Sequence, residues 1–551
     1  MFDIKEQVVL IQPFVEDFYL TDCRSFPLGL AYLSAAIKST FSDLDVEIFD
    51  TLVPFKKRTI NWPKEFNYLK PYYGHLDTAP YSLFYQYYRY GLKDKEILDK
   101  LRSFQPFLIG ISSLFTPYYR ESLKVAALCK SVFPDIPIVM GGSYATLYPE
   151  FLLEYKNKEG KHLTDFVLRG EAEESITQLI HYLRGERELQ QVHNLVCRDN
   201  LNSYNTDIMM PVRENIEIPD YSGIDLDSYR YNKKRIAFLI TSRGCPFRCS
   251  FCSVHTVFGK DYFVREDSDI INEIKIRYAE GVRHFDIEDD NFTYDRKHAI
   301  SLLTSIIKLN IPITLSAMNG MCYFSLDKEI LSKVKKTGFD TINLAIATLD
   351  EDTCKNNQRP QFLNKFKEVV DIATSLDLNV IASFILGMPG QTLKEIMDTV
   401  FFLSKTKCLI QVSPFYFLKG TPIYEREKDN KEIKLASRGF DSNFSARLTA
   451  LDLENSQFKR DDIFTCFRLV RVINYLKKCL DSGSYENDEY YQEALQILKE
   501  KNWFAKSKKG SFELPFSKSV EKYLSEKELN ITGYKTDNEL RVSVDNKFNN
   551  F

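Results

Sequence analysis

The stretch Thr241-Ser242-Arg243-Gly244-Cys245-Pro246-Phe247-Arg248-Cys249-Ser250-Phe251-Cys252 gathers three of the chain's 11 cysteines within eight residues. Thiolates with three and then two intervening residues can wrap a short loop around one soft metal centre, and they suit iron–sulfur clusters and zinc. A closed zinc site takes four ligands, and His255 is the available fourth. Zinc motifs more often combine paired CxxC or CxxH elements, and no second pair follows here. Iron–sulfur clusters usually take four cysteines. A cubane held by three keeps one iron open, and an open iron is where a small ligand binds. The cluster reading therefore stands ahead of zinc, with unligated thiols third.

The loop follows a short β-rich run at 237–240, the first of six. The others are 284–288, 313–316, 341–346, 380–386 and 410–413, with amphipathic helical stretches at 269–279, 296–308, 328–336, 363–376 and 393–403 between them. About six βα units in roughly 200 residues fit a parallel sheet or an incomplete barrel, since a full eight-unit barrel takes about 250. Active sites of such sheets lie at the carboxyl ends of the strands, and the cysteine loop lies at that edge.

Upstream, strand runs at 8–11, 46–49, 107–111, 136–140 and 166–168 alternate with helical stretches at 28–37, 120–132 and 173–183. This pattern predicts a doubly wound parallel sheet, which binds ligands at its carboxyl edge. Residues 55–95 interrupt it with Trp62, Tyr72, Tyr73, Tyr81, Phe84, Tyr85, Tyr87, Tyr88 and Tyr90. They read as a helical insertion using aromatics as core, in preference to a pocket wall. Residues 200–234 are turn-rich (Pro211, Pro219-Asp220, Tyr221-Ser222-Gly223), but Ile218, Ile224, Leu226 and Tyr229 can dock, so they read as an ordered linker. Beyond 430, Ile463, Phe467, Val470, Ile473 and Leu476 recur at helical spacing, as do Ala494, Leu495 and Leu498; the polar end, 536–551, reads as frayed. The expected domains are 1–204, a linker at 205–234, a core at 235–430 and a mostly helical extension at 431–551.

In 551 residues, 44% apolar and 27% charged, there is enough apolar surface for a sizeable core. Lys+Arg 73 against Asp+Glu 76 gives a net −3, no electrostatic case for nucleic acid or an anionic membrane. No apolar run approaches a bilayer span, and the start, Met1-Phe2-Asp3-Ile4-Lys5-Glu6, is not a secretory signal. The chain reads as cytosolic. Its eight scattered cysteines (23, 129, 197, 322, 354, 408, 466, 479) read as small buried hydrophobes in a reducing compartment.

CxxxCxxC after a first strand, with Phe251 before the last Cys, resembles the radical S-adenosylmethionine (SAM) superfamily. The resemblance implies that Cys245, Cys249 and Cys252 ligate a 4Fe-4S cluster whose open iron binds SAM, and that Phe251 packs near adenine. Reductive cleavage of SAM there yields a 5′-deoxyadenosyl radical that removes hydrogen from substrate. The run His284-Phe285-Asp286-Ile287-Glu288-Asp289-Asp290-Asn291 looks like the family's second strand, which makes Asp290 and Asn291 candidate SAM or substrate contacts. Phe384-Ile385-Leu386-Gly387-Met388-Pro389-Gly390-Gln391 resembles its fifth-strand motif, with Gly387 beside SAM and Gln391 where Glu is frequent. In Asn343-Leu344-Ala345-Ile346-Ala347-Thr348 the usual Glu and Ser are Ala347 and Thr348, a departure that marks a divergent fourth strand.

The N-terminal part resembles the cobalamin-binding domain that precedes many radical SAM domains. The matching pieces are Pro27-Leu28-Gly29-Leu30-Ala31-Tyr32-Leu33, Ile111-Ser112-Ser113, Gly141-Gly142-Ser143-Tyr144-Ala145-Thr146 and Arg169-Gly170-Glu171-Ala172-Glu173. They imply cobalamin contacts from Ser112, Ser113, Gly141, Gly142, Ser143, Gly170 and Glu171. Small residues at strand ends let a corrin tail approach backbone. There is no Asp-x-His-x-x-Gly stretch to supply a histidine to cobalt, which this subgroup also commonly lacks, and Tyr144 stands where relatives often have His. The implied fold is α/β: an N-terminal doubly wound Rossmann-like cobalamin-binding domain, a central partial (β/α)6 radical SAM barrel and a C-terminal helical extension.

The implied activity is that of a class B radical SAM methyltransferase. One SAM methylates cob(I)alamin, a second gives the adenosyl radical, and the substrate radical takes the methyl group from methylcobalamin. The implied partners are a small-molecule or peptide substrate and a low-potential electron donor such as flavodoxin or ferredoxin, with no nucleic acid and no membrane. Alternatives are a radical SAM cyclase or rearrangement enzyme without net methylation, a radical SAM enzyme whose first domain binds no corrin, and a non-catalytic zinc-binding protein.

Overall fold

The structure is a computed structural model describing residues 6–201, 208–209, 216–259, 261–437, 442–483, 488–500, 503–507, 510–527 and 529–534. The expected 204/205 boundary, Pro211 and the terminal stretch 536–551 lie outside the described residues.

Short apolar runs make the first sheet because both its faces are covered by helices. Val8 to Ile11 of β1 (Gln7–Gln12) are all at most 1% exposed. β1 pairs in parallel with β2 (Asp45–Asp50) and with β3 (Pro106–Ser112); β4 (Ile138–Gly141) and β5 (Phe166–Leu168) continue the parallel set. The antiparallel edge strand β6 (Leu195–Cys197) was not anticipated from the sequence. The order β2-β1-β3-β4-β5-β6 reverses direction between β1 and β3, so the crevice at their carboxyl ends is the expected ligand site. The helices α1 (Leu28–Thr40), α2 (Tyr119–Val132) and α3 (Glu173–Leu183) cover the sheet.

The aromatic segment is core, as expected, but it is not a helical insertion. It contributes strands Lys57–Ile60 and Tyr87–Tyr90 to a small antiparallel sheet with Val15–Asp17. All four residues of Tyr87-Tyr88-Arg89-Tyr90 are buried, as in a strand covered on both faces. Short 3₁₀ and α turns carry the rest, and Phe18 collects Trp62, Phe66, Tyr73 and Tyr87 at ring distances of 4.7–5.6 Å.

The second sheet is the expected partial barrel. Its strands are β7 (Lys234–Leu239), β8 (His284–Ile287), β9 (Thr314–Ser316), β10 (Thr341–Ala347), β11 (Asn379–Leu386) and β12 (Leu409–Pro414). They run parallel, with β9 and β10 joined through the isolated bridges Leu315–Phe339 and Met321–Leu344. Ile224 and Tyr229 of the linker are buried against the body of the protein.

An open barrel leaves a free strand edge, which proteins cover. Here the cover is α4 (Arg460–Ser482), whose apolar stripe Ile463, Phe467, Val470, Ile473 and Leu476 is buried. On α4, Asn474 accepts from the Ile410 N–H at 2.9 Å and donates to its carbonyl at 2.7 Å, as a neighbouring strand would. The C-terminal region also holds a hairpin, Phe504–Ser507 with Gly510–Glu513, that the helical reading did not include. The seven described single cysteines are all buried, as expected. Among the described residues no helix is long and apolar enough to cross a membrane.

Candidate cofactor and active site

The cysteine loop leaves the carboxyl end of β7 and is shaped by an acidic run from the neighbouring strand. Asp289, 1% exposed, accepts from the Thr241 N–H and hydroxyl and from the Ser242 hydroxyl. Asp290 accepts from the Gly244 N–H at 3.3 Å, and the Asn291 amide donates to the Cys245 sulfur at 3.6 Å. Gly244 has φ +81°, and a Cβ there would lie 2.2 Å from the Asp261 carbonyl, so the turn into Cys245 needs glycine. Ser250 bonds Asn357 through backbone (3.0 Å) and hydroxyl (2.6 Å), and the Ile423 N–H reaches the Ser250 carbonyl. The loop is thus held by the segments that follow β8, β10 and β12.

Cys249 is buried, while Cys245 and Cys252 are half-buried. Burial pushes the Cys252 thiol up to about 12 and raises that of Cys245. These thiols hold their protons until a metal displaces them, so cluster assembly releases protons. Arg359 stands over the loop: one nitrogen lies 3.7 Å from the Cys249 sulfur and another donates to the Ala345 carbonyl at 2.6 Å. Among the described residues no group of three or more His, Cys, Asp or Glu is gathered as a single metal ion requires.

The other expected SAM-side residues frame the same edge. Phe251 is half-buried against the core. Gly387, at φ +78°, lies where a Cβ would come within 2.9–3.1 Å of Ile463 and Phe458, so this turn packs against the C-terminal helix. Gln391 accepts from the Gly387 and Met388 N–H groups at 2.8 and 3.2 Å. It braces the turn as an acceptor, the role Glu would fill.

At the first sheet's edge, Gly142 has φ +110°, and a Cβ there would sit 2.8 Å from the Ser113 carbonyl. That close approach lets the Tyr144 N–H bond the Ser113 carbonyl. Tyr144, fully buried, stacks between Tyr119 and Tyr148 at 4.9 and 4.6 Å. The Gly170 N–H bonds the Thr146 hydroxyl at 2.9 Å. Glu171 and Glu173 pair with Arg243 at 3.2 and 2.7 Å. Arg243 directly precedes Gly244-Cys245, so this triad ties the first domain to the cysteine loop. Arg24, ahead of α1, makes a second tie, bonding Glu288 (3.0 Å) and Asn319 (2.6 Å).

Between the two carboxyl edges lies a cavity of about 550 Å³. The first domain contributes Gln12 to Val15, Ser112, Leu114 to Tyr118 and Ser143. The cysteine loop contributes Ser253, Val254, Val257 and Phe258, the barrel strands Asp290, Tyr416 and Leu418, and the C-terminal strap Ala446 to Thr449. Burial, with Asp289 adjacent, pushes the Asp290 carboxyl up to about 6. In the wall itself, Arg447 pairs with Asp17 at 3.1 Å, both side chains nearly inaccessible.

Glu121 belongs to this network. One oxygen accepts from the Glu16 N–H at 3.0 Å; the other is buried without a partner, and burial pushes the carboxyl up to about 8. A raised folded value means that the stabilising contribution is complete below the unfolded value of 4.5 and is lost as pH rises through about 8. Glu121→Gln cannot ionise, so its thermal midpoint is expected to fall less than wild type between about pH 5 and about pH 9. Parallel pH profiles for the two proteins would refute this.

The residues present fit both cofactors. Three thiols share one loop, with two N–H donors facing their sulfurs. At the other edge the Ser113 hydroxyl is buried with no hydrogen-bond partner, a polar group left for a ligand. Fold and site together define a radical SAM barrel preceded by a cobalamin-type Rossmann domain. Residues 239–403 match the family model of the radical SAM superfamily, and residues 85–180 match that of the B12 binding domain. The chain therefore carries a radical SAM domain and a B12-binding domain, and its cofactors are a 4Fe-4S cluster, SAM and cobalamin. It is 25% identical over 383 residues to an uncharacterized methyltransferase of Pyrococcus horikoshii, covering 69% of this chain and 73% of that one. It is 24% identical over 432 residues to the cytidylyl-2-hydroxyethylphosphonate methyltransferase of Streptomyces wedmorensis, covering 71% and 75%. The solved structure of the methyltransferase TsrM from Kitasatospora setae, with cobalamin and a [4Fe-4S] cluster bound, superposes with a TM-score of 0.58 at 15% identity, over 78% of this chain and 81% of that one. That last likeness is one of fold.

Proposed function

We propose that this chain is a carbon methyltransferase that places a methyl group from SAM on an unactivated carbon of a small molecule or peptide. When bound, the cluster and a low-potential donor such as flavodoxin or ferredoxin supply the electron that cleaves SAM, and cobalamin supplies methyl-carrier chemistry. The protein supplies position and a dry chamber. The observation that carries this reading is the cavity lined from both carboxyl edges: a substrate there lies between the two cofactor sites.

In this reading Cys245, Cys249 and Cys252 hold the cluster. Phe251, Asp290 and Gly387 border SAM, and Asn291 reaches both SAM and Cys245. Ser112, Ser113, Gly141, Gly142, Ser143 and Gly170 admit the corrin, while Glu171 holds the two edges in register through Arg243. The domains run 1–204, 235–430 and 431–551 around a linker at 205–234, in a cytoplasmic protein.

The test is anaerobic reconstitution with iron, sulfide, hydroxocobalamin and SAM bearing a CD₃ group, with deproteinised cell extract as the substrate pool. The expected result is a bound-corrin spectrum, formation of both 5′-deoxyadenosine and S-adenosylhomocysteine, and a product in which CD₃ replaces one hydrogen. 5′-Deoxyadenosine without S-adenosylhomocysteine would overturn methyl transfer in favour of a rearrangement.

A further inference from the structure

Arg359 has no part in the motif that decides the fold, yet it is the cation set against the cysteine loop. Its guanidinium is anchored on the Ala345 carbonyl at 2.6 Å, and a second nitrogen lies 3.7 Å from the Cys249 sulfur. Its Nε is buried without a partner, so the group is not consumed by its surroundings. On the neighbouring sulfur, the Asn291 amide sits 3.6 Å from Cys245.

Reduction of a cluster held by these thiolates adds one negative charge. A fixed positive charge and an N–H donor aimed at a ligand sulfur stabilise that added charge. Potentials of such clusters are set by net charge, hydrogen bonds to sulfur and solvent exposure. Arginine cannot shed its charge on burial, and a charge interacts more strongly in a water-poor site. We propose that Arg359 is a positioning residue that raises the reduction potential of the cluster by holding a cation on the Cys249 side, with Asn291 adding a neutral donor at Cys245. This rests on the cluster reading of Cys245, Cys249 and Cys252.

The experiment is a redox titration of the reconstituted full chain by electron paramagnetic resonance without SAM, alongside iron and sulfide analysis. In Arg359→Met the equilibrium constant for one-electron reduction is expected to fall about tenfold, a shift of about 59 mV to more negative potential. Arg359→Lys keeps the charge and is expected within about threefold of wild type. Asn291→Ala, which removes a neutral donor, is expected to fall by about threefold. If Arg359→Met does not load, Arg359→Gln is read in its place, with the same direction expected.

A fully loaded Arg359→Met titrating at the wild-type potential would overturn the proposal, and weakened SAM binding in that variant would make Arg359 a SAM ligand only. Failure of every Arg359 variant to load, lysine included, would also overturn it and make the residue one of assembly. Wild-type protein without sulfide would instead strike the cluster reading, a result the analysis separates from the others.

Discussion

Cys249→Ala is expected to form no 5′-deoxyadenosine above background, a loss of at least about a thousandfold, and to retain almost no iron or sulfide after reconstitution. Cys249 is the middle ligand of the loop and is 4% exposed. Three thiolates already leave one iron open, so none is spare. The loop itself is not held by this sulfur: Asp289 clamps its start and Asn357 its middle. Removing one buried sulfur costs about 1 kcal/mol of packing, within the ordinary range for a single substitution. The far-ultraviolet circular dichroism spectrum of the variant is therefore expected to match wild type. Cys129→Ala, a buried cysteine on α2, is the control and is expected to keep both cluster and SAM cleavage. Wild-type levels of 5′-deoxyadenosine from Cys249→Ala would remove the assignment of the loop.

The two parallel sheets were legible because their strands are covered on both sides and read as continuous apolar runs, as in Val8-Val9-Leu10-Ile11. The Leu195–Cys197 edge strand was not, being three residues among turn signals. The aromatics of 55–95 mark core, but nothing local sets Tyr87 to Tyr90 apart as a strand inside a segment otherwise full of turns. The cysteines of the site were visible because all three lie on one loop. Arg359 was not, since it meets Cys249 across 110 positions and belongs to no local pattern. Nothing in the acidic run itself singles out Asp289; only the fold brings its carboxylate to Thr241 and Ser242. Arg243 carried a usable signal. A charged side chain immediately before a buried thiolate loop needs a partner, and Glu171 with Glu173 was the acidic pair already noted at the opposite edge.

Arg447→Met is expected to have the largest effect on stability. Arg447 pairs with Asp17, and its guanidinium also donates to the carbonyls of Phe444 (3.0 Å), Glu16 (3.1 Å) and Pro117 (2.8 Å). Asp17 in turn accepts from the Tyr118 and Thr449 hydroxyls at 2.8 and 3.2 Å. Methionine of similar length fills the space but leaves a buried carboxylate and three carbonyls without their cation. Breaking one side of a buried pair costs about 3–5 kcal/mol. At about 2–4 °C per kcal/mol for a unit of 150–250 residues, the unfolding midpoint falls by roughly 10 °C. Amide exchange is expected to quicken in the strap around 444–455, because Arg447, with Thr449 and Ala450, fastens that strap to the first domain. Asp17→Asn keeps an acceptor oxygen for one of the two hydroxyls, Tyr118 or Thr449, and removes the stranded charge. The double variant Asp17→Asn/Arg447→Met is therefore expected to lose less than the sum of the two single changes, the signature of a coupled pair. Cluster content is expected to be unchanged in all three, since none of these groups touches the cysteine loop. An unaltered midpoint in Arg447→Met would mean that water reaches Asp17, and with it that the wall of the cavity between the two carboxyl edges is open.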